Sequence, residues 1–403
     1  MERYRRVLVA VFVVAVVAGC GGHTRPRLDA GPSTSLVDQP VSIEVSGVRP
    51  GALVGISVDE DGWVGSGVYR ADRHGTVSPA RQPSLRGTYT GLKPMGLFWS
   101  MASGSGLGPY FGGTVDVTAT VRGTPIGHAT LTRLGEATGV TATPLFVRGS
   151  GFLGRYYRPA PGTDRHVPVL LIGGSEGGLS LTGEAALLAS HGYPALDVAY
   201  FGAYGLPRNL ERIPLEYFVR AARWLDKRQG VDGRRLVVYG VSRGTEAATL
   251  LAAHFPQLFA GVVVLSPASE VNPAFAPGDL GPHGAAWTIG GRAIEPGTQF
   301  PFRKIHANVF VTAGLEDNLF LSYTALLKIE SKLPRGRVVA TIYQHAGHFV
   351  DTAIPYLPFD DTYYDEALGV TETLGGTSAG ESAARADEWP RILRFIGSTR
   401  PGV

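Results

Sequence analysis

A serine flanked by glycines, in the run Gly-Val-Ser-Arg-Gly at residues 240–244, has the spacing of a nucleophilic serine motif, G-x-S-x-G. The apolar run Leu236–Tyr239 precedes it and the helix-like stretch Thr245–His254 follows it, which predicts a strand–turn–helix corner. Such a corner holds the serine hydroxyl clear of the backbone, and the next N–H can stabilise an oxyanion. The motif therefore predicts acyl-transfer chemistry at Ser242, with the N–H of Arg243 as one oxyanion donor.

Two other segments, residues 173–177 and 376–380, fit the same pattern in a chain that contains 55 glycines. Ser378 has no histidine after it to act as a base, so it is interpreted as the entrance of the final helix. Ser175 lies one strand–helix–strand unit too early for a nucleophile, and its glycine-rich surroundings predict an oxyanion loop. The candidate donors from this loop are the N–H groups of Ser175, Glu176 and Gly177.

An acid and a base are expected on loops after later strands, in the chain order serine, acid, histidine. Two acids, Glu316 and Asp317, follow one predicted strand, and two histidines, His345 and His348, follow the next. Asp317 is preferred because a short carboxylate at a strand end suits a catalytic histidine, and Glu316 is the alternative. His348 is preferred because a glycine precedes it and an apolar residue follows it, and His345 is the alternative. The alternative is a purely structural role, in which Ser242 caps its helix and the histidines form hydrogen bonds with the loop backbone.

Residues 145–400 alternate buried strands with helices, which predicts an α/β domain built on a doubly wound, mostly parallel sheet of the α/β-hydrolase type. Such sheets bind ligands beyond the carboxyl ends of their strands, where Ser242 falls. The predicted strands are Val167–Ile172, Ala195–Ala199, Leu236–Tyr239, Gly261–Leu265, Val309–Ala313 and Val338–Tyr343. The predicted helices are Thr182–Ser190, Leu215–Gln229, Thr245–His254, Leu321–Lys332 and Ala383–Ile396.

Residues 40–140 show short alternating strands, as at Val54, Ile56 and Val58, with turn signals between them. This pattern predicts a smaller immunoglobulin-like β-sandwich ahead of the α/β domain. Residues 20–39 are rich in glycine, proline, serine and threonine, which predicts a flexible tether.

The first nineteen residues combine arginines with an apolar run, Val7–Val17, that is too short to span a bilayer. They predict a secretion signal. The residues before Cys20 resemble the lipobox of bacterial lipoproteins, so we expect lipidation at Cys20 and a lipid anchor on the extracytoplasmic face of the cell membrane. The alternative is an ordinary signal peptide with an incidental cysteine. Because Cys20 is the only cysteine, no intramolecular disulfide is possible.

Residues 1–19 carry three arginines and one glutamate, so without them the formal charge falls from +3 to +1. This balance, with no basic block among aromatic residues, argues against a nucleic-acid binder. The ten histidines are scattered and no cysteine ligands accompany them, so we expect neither a metal site nor a cofactor. The expected partners are a small-molecule acyl substrate and, through Cys20, the membrane. The sequence does not define the oligomeric state.

Both predicted domains contain motifs that together point to one family. These segments are residues 69–72 (YRAD), 87–100 (GTYTGLKPMGLFWS), 199–202 (AYFG), 213–218 (IPLEYF), 240–244 (GVSRG), 347–348 (GH) and 374–377 (LGGT). They resemble the acyl-CoA thioesterase and bile acid-CoA:amino acid N-acyltransferase family over nearly the whole mature chain, and they keep the family's order.

The resemblance implies Ser242 as nucleophile, His348 as base and Asp317 as acid. Transferring members of the family tend to carry cysteine at the nucleophile and hydrolytic members serine, so it implies hydrolysis of a thioester or ester. The alternatives are an acyltransferase with an amine or alcohol acceptor, and a binding lipoprotein without catalysis. The chain departs from the family's pattern at two positions. Arg243 stands where the family often has lysine, and Glu176 lies in a glycine-rich loop that commonly lacks an acid.

The expected compartment conflicts with the family's usual substrates, because coenzyme A thioesters are cytoplasmic. This conflict favours an envelope or exogenous ester, or transfer to an envelope acceptor. Arg243 is expected to be offset by Glu176 or Glu246 or to contact an anionic part of the substrate; the alternative is a solvated side chain.

Overall fold

The computed structural model describes residues 25–103, 112–276, 284–348, 352–358, 362–365 and 370–400. Its first part is rich in β-structure. The strands are β1 (Arg27–Gly31), β2 (Thr34–Leu36), β3 (Ser42–Ser46), β4 (Leu53–Glu60), β5 (Trp63–Arg70), β6 (Arg86–Gly87), β7 (Ala102–Ser103), β8 (Thr114–Val121) and β9 (Thr124–Leu134), and one short helix is α1 (Gly96–Trp99).

Seven of these strands form one sheet, in the order β2-β9-β8-β4-β5-β6 with β7 also paired to β5, while β1 and β3 form a second sheet. Alternate residues of the strands point to one side, as strand geometry requires. Val45, Ile56, Val117 and Leu131 thus share a buried core with Phe98 of α1. The β-rich first domain that the sequence predicts is confirmed.

The predicted tether over residues 20–39 is wrong from Arg27 onward, because this segment contains β1 and β2. β1 pairs antiparallel with β3, and β2 pairs parallel with β9. Asp38 also accepts a hydrogen bond from Trp389 Nε1 at 2.7 Å. This segment folds because it pairs with strands and side chains that are distant in the chain. Its local composition therefore does not indicate the strands. Residues 20–24 lie outside the described residues.

The second part alternates strands and helices. The strands are β10 (Thr141–Leu145), β11 (Leu153–Arg158), β12 (Val169–Ile172), β13 (Ala195–Ala199), β14 (Ile213–Pro214), β15 (Val237–Val241), β16 (Gly261–Leu265), β17 (Trp287–Ile289), β18 (Arg292–Ile294), β19 (Asn308–Gly314), β20 (Val338–Tyr343), β21 (Thr362–Asp365) and β22 (Val370–Thr373). The helices are α2 (Val147–Ser150), α3 (Thr182–Ser190), α4 (Leu215–Asp226), α5 (Arg243–His254), α6 (Ser322–Lys332) and α7 (Ser378–Ser398).

Eight strands form the central sheet in the order β10-β11-β13-β12-β15-β16-β19-β20. The six strands from β13 to β20 in this order pair in parallel, and β10 and β11 add an antiparallel edge. One face of the sheet packs against α4, α5 and α6, and the other against α3 and α7. Strands covered on both faces are apolar throughout, as in β16. The predicted doubly wound α/β class is confirmed.

Helix α7 begins at Ser378, earlier than the expected start at Ala383. Thr377 caps it, because its hydroxyl oxygen accepts the N–H of Gly380 at 3.0 Å. Ser378 therefore lies at a helix entrance, as interpreted from the sequence, and outside the strand–turn–helix corner of Ser242.

The chain between β16 and β19 leaves the central sheet and contributes two strands to a separate three-stranded sheet, β14-β17-β18. Trp287 of β17 is fully buried against Tyr200 and Phe218, with ring centroids 5.7 and 6.2 Å away. Further support comes from Phe275, whose N–H and carbonyl exchange hydrogen bonds with Leu210. This excursion packs beside the carboxyl edge of the central sheet, where Ser242 lies.

Candidate active site

Ser242 occupies a strained corner between β15 and α5, with φ 48° and ψ −120°. A non-glycine residue rarely adopts this backbone conformation, and such strain is typical of functional positions. A Cβ on Gly240 would lie 2.5 Å from the carbonyl oxygen of Gly244, and one on Gly244 would lie 2.1 Å from that of Ile172. The two glycines of the motif are therefore required by close backbone approach.

The side chains of Ser242, His348 and Asp317 form a continuous chain of hydrogen bonds. His348 Nε2 lies 2.9 Å from Ser242 Oγ, and His348 Nδ1 lies 3.0 Å from Asp317 Oδ2. All three residues are buried, and the ring of Phe320 packs edge-on against that of His348 with a centroid distance of 5.1 Å. This geometry allows His348 to take a proton from Ser242 while Asp317 stabilises the imidazolium.

Asp317 is held in its ionised form by its surroundings. Its Oδ1 accepts the backbone N–H groups of Leu319 at 2.8 Å and Phe320 at 3.0 Å. Burial alone would raise the pKa of Asp317, but the interaction with His348 and the hydrogen bonds outweigh it and hold the pKa below its usual value. A charged carboxylate thus faces the histidine ring.

Glu316 and His345, the two alternative residues, pair with each other. His345 Nδ1 lies 2.9 Å from Glu316 Oε1, and both side chains are exposed to solvent. Consecutive loop residues point in different directions here, so Asp317 turns into the interior and Glu316 turns outward. The structure thus joins Ser242 to His348 and Asp317.

The loop that carries His348 is fixed by α7 and by close glycine packing. A Cβ on Gly347 would lie 2.2 Å from the carbonyl oxygen of Gly375. Glu381, fully buried on α7, accepts the N–H of Gly347. Burial raises the pKa of Glu381 to about 7, although Arg385 opposes this shift. No sequence pattern indicated Glu381, because its partner lies 34 residues earlier in the chain.

The glycine-rich loop after β12 lies against Ser242. A Cβ on Gly174 would be 3.0 Å from Ser242 Cβ. The Tyr200 hydroxyl donates to the carbonyl oxygens of Gly173 at 2.8 Å and Gly174 at 3.0 Å. In a trans peptide the carbonyl and the following N–H point in opposite directions, so the N–H of Ser175 points away from Tyr200.

Of the four predicted oxyanion donors, Arg243 directly follows Ser242 and Ser175 directly follows Gly174. Gly177, by contrast, packs against Phe201, where a Cβ on Gly177 would lie 3.2 Å from the Phe201 carbonyl oxygen. Glu176 turns its carboxylate back along the loop and accepts the N–H of Gly174 at 2.8 Å. The arrangement is therefore compatible with an oxyanion hole formed by the N–H groups of Arg243 and Ser175.

The side chain of Arg243 is buried and paired, so the solvated alternative is wrong. Its Nε lies 2.7 Å from Glu246 Oε1, and its Nη2 donates to the carbonyl oxygen of Pro273 at 2.8 Å. Glu246 in turn accepts hydrogen bonds from Trp287 Nε1 at 2.8 Å and from the Asn272 side chain at 3.0 Å. Glu246 thus neutralises the charge of Arg243, as expected from the sequence. The pair connects the strand–turn–helix corner of Ser242 to the excursion after β16.

The described part of the chain contains neither a group of side chains suited to a metal ion nor a helix suited to spanning a membrane. Within those ranges, no three histidine, cysteine, aspartate or glutamate side chains group closely enough to hold a metal ion. Over the same residues, no helix combines the length and apolar character that crossing a bilayer requires. Cys20 and the predicted signal segment, residues 1–19, lie outside the described residues.

Comparison with known proteins identifies the family. Residues 38–145 match the family described as "Acyl-CoA thioester hydrolase/BAAT N-terminal region", and residues 213–276 and 288–399 match "BAAT / Acyl-CoA thioester hydrolase C terminal". The chain belongs to the acyl-CoA thioester hydrolase and bile acid-CoA:amino acid N-acyltransferase family. The resemblance predicted from the sequence motifs is thus confirmed.

Two relatives of this family illustrate its range. The bile acid-CoA:amino acid N-acyltransferase of Mus musculus is 29% identical and covers 92% of this chain and 97% of its own length. The acyl-coenzyme A thioesterase 1 of Mus musculus is 26% identical and covers 89% of this chain and 93% of its own length. Transferases and hydrolases are therefore both similar to this chain, over both of its domains.

Proposed function

We propose that this chain is a serine acyl hydrolase that cleaves a thioester or carboxylic ester through an acyl-enzyme on Ser242. The observation that carries the proposal is the hydrogen-bonded chain from Ser242 Oγ through His348 to Asp317, with distances of 2.9 and 3.0 Å. Membership of a family that includes acyl-coenzyme A thioesterases supports the substrate class.

The first half of the reaction forms the acyl-enzyme. His348 Nε2 takes the proton of Ser242 as Oγ attacks the carbonyl carbon, and Asp317 stabilises the imidazolium. The N–H groups of Arg243 and Ser175 hold the oxyanion of the tetrahedral intermediate. His348 then gives the proton to the leaving sulfur or oxygen as its bond to the carbonyl carbon breaks.

The second half regenerates the enzyme. A water molecule attacks the acyl carbonyl of the Ser242 ester, and His348 takes one of its protons. Collapse of the intermediate breaks the bond to Oγ, and His348 returns the proton to Ser242. The products are a carboxylic acid and a free thiol or alcohol.

A transferase is the second candidate, because N-acyltransferases are among the relatives. In that reaction an amine or alcohol replaces water in the second half. The serine at the nucleophile favours hydrolysis, since transferring members of the family tend to carry cysteine there.

A product analysis distinguishes the hydrolase from the transferase. The purified protein is incubated with an acyl thioester, with and without an amine or alcohol acceptor, and the products are quantified by mass spectrometry. We expect the free acid as the main product in both cases and none from the Ser242→Ala variant. A dominant acyl amide or ester would identify a transferase. A folded protein that binds the thioester without releasing thiol would identify a binding lipoprotein.

We also propose that Cys20 carries a lipid and anchors the protein at the extracytoplasmic face of the membrane. The support is the arginine-rich and apolar segment before Cys20 in the sequence. Metabolic labelling with a fatty-acid analogue should label the wild-type chain and not the Cys20→Ser variant. Equal labelling of both chains would contradict the anchor.

A further inference from the structure

The carboxylate of Glu176 lies near the nucleophile, and both residues contact Gly174. Its Oε1 accepts the N–H of Gly174 at 2.8 Å. The position that a Cβ on Gly174 would take lies 2.7 Å from Glu176 Oε2, 3.0 Å from Ser242 Cβ and 3.5 Å from Ser242 Oγ. The carboxylate and the serine side chain thus both lie against Gly174.

In the described ranges, no ion pair within 4.0 Å neutralises Glu176. The buried cation closest in sequence to Ser242 is Arg243, and its guanidinium pairs with Glu246 and donates to the carbonyl oxygen of Pro273. Glu176 as a residue is exposed to solvent, while its carboxylate turns back against Gly174. The charge of Glu176 also acts on a buried neighbour. Burial is the main cause that raises the pKa of Tyr200, and the Glu176 carboxylate is the second.

A negative charge at this place acts on whatever is bonded near the scissile carbonyl. It repels an anionic group and attracts a cationic group, and the effect grows as water is displaced from the site. It does not help the oxyanion, because a carboxylate and an oxyanion repel each other. A role in choosing the substrate accounts for its position better than a role in the chemical step.

We infer that Glu176 is a specificity-determining residue that selects leaving groups with a cationic or neutral substituent next to the scissile bond and disfavours anionic ones. The inference rests on the proposed acyl-enzyme reaction at Ser242. It concerns charge within a few bonds of the carbonyl, so a thioester whose anionic groups are remote from the sulfur remains a possible substrate.

The test uses three butanoyl thioesters that differ in the charge of the thiol: thiocholine, which is cationic, N-acetylcysteamine, which is neutral, and 2-mercaptoethanesulfonate, which is anionic. Thiol release gives kcat/KM for each at low ionic strength. The variant Glu176→Gln retains an oxygen that can accept the Gly174 N–H and removes the charge. Glu330→Gln, an exposed acid on α6, is the matched control.

We expect wild type and Glu330→Gln to prefer the cationic thioester over the anionic one by about tenfold, the size of a partly screened charge effect on each substrate. Glu176→Gln should reduce this ratio to near one, mainly by faster turnover of the anionic thioester. Added salt should reduce the wild-type ratio in the same direction.

Two results would overturn the inference while leaving the proposed reaction intact. One is a wild-type preference for the anionic thioester, and the other is a ratio that Glu176→Gln leaves unchanged. Failure of the proposed reaction has a different signature: none of the three thioesters releases thiol, and a fluorophosphonate probe leaves Ser242 unlabelled. That result would remove both proposals together.

Discussion

Glu246 Oε1 lies 2.7 Å from Arg243 Nε, and this buried pair connects the residue after the serine to the excursion that follows β16. Burial raises the pKa of Glu246, while Arg243 and the hydrogen bonds from Trp287 and Asn272 oppose the shift. A buried pair of this kind makes each charge depend on the other.

Removal of one charge from this pair should destabilise the fold strongly. Glu246→Gln leaves the buried guanidinium of Arg243 unpaired, which costs about 3–5 kcal/mol in comparable cases. Adding Arg243→Met to Glu246→Gln should recover part of this loss. Urea unfolding of the two single variants and the double variant measures the coupling. An unchanged unfolding midpoint for Glu246→Gln would contradict the account.

Asp317 and Glu316 should differ sharply in their effect on turnover. Asp317→Asn removes the charge that stabilises the imidazolium and disturbs the orientation of His348, so we expect kcat to fall by about 10³–10⁴-fold. Glu316→Gln affects only the exposed pair with His345 and should change kcat by less than about twofold. Steady-state thiol release by both variants tests the assignment, and a larger loss in Glu316→Gln would reverse it.

Glu184, buried in the first turn of α3, should make stability fall as pH rises. Burial raises the pKa of Glu184 from 4.5 to about 7. A carboxyl group whose folded pKa is raised contributes stability that is present below pH 4.5 and is lost as pH rises through about 7. The contribution is on the order of 3 kcal/mol. Glu184→Gln should therefore show a smaller loss of stability between pH 5 and pH 8 than wild type.

The measurement is the urea midpoint of wild type and Glu184→Gln at both pH values, followed by tryptophan fluorescence. Glu330→Gln serves as the exposed control and should follow wild type. A pH dependence in Glu184→Gln that equals that of wild type would show that this carboxyl group does not titrate in the expected range.

The arrangement of Ser242, Asp317 and His348 was accessible from the sequence because apolar runs mark the central strands, and strand order fixes which loops meet. Ser175 was separated from Ser242 on the same basis. These inferences depend on local patterns and on the regular geometry of a parallel sheet.

Other features depend on contacts between distant segments and left no local pattern. β1 is ordered by β3, and Glu381 approaches the histidine loop only because α7 packs there. Gly177 lies in the loop predicted to bind the oxyanion, yet it packs against Phe201. Tyr200 belongs to one of the motifs that carry the family resemblance, but only the structure shows that its hydroxyl donates to the carbonyl oxygens of Gly173 and Gly174.

The central claim is that Ser242 is the nucleophile, and covalent labelling tests it most directly. The purified protein is treated with a fluorophosphonate probe, digested and mapped by mass spectrometry, with Ser242→Ala and Ser175→Ala as variants. We predict a single labelled peptide containing Ser242, retained in Ser175→Ala and absent in Ser242→Ala. Labelling of a folded Ser242→Ala protein at the wild-type rate, or no labelling of the wild-type protein, would contradict the account.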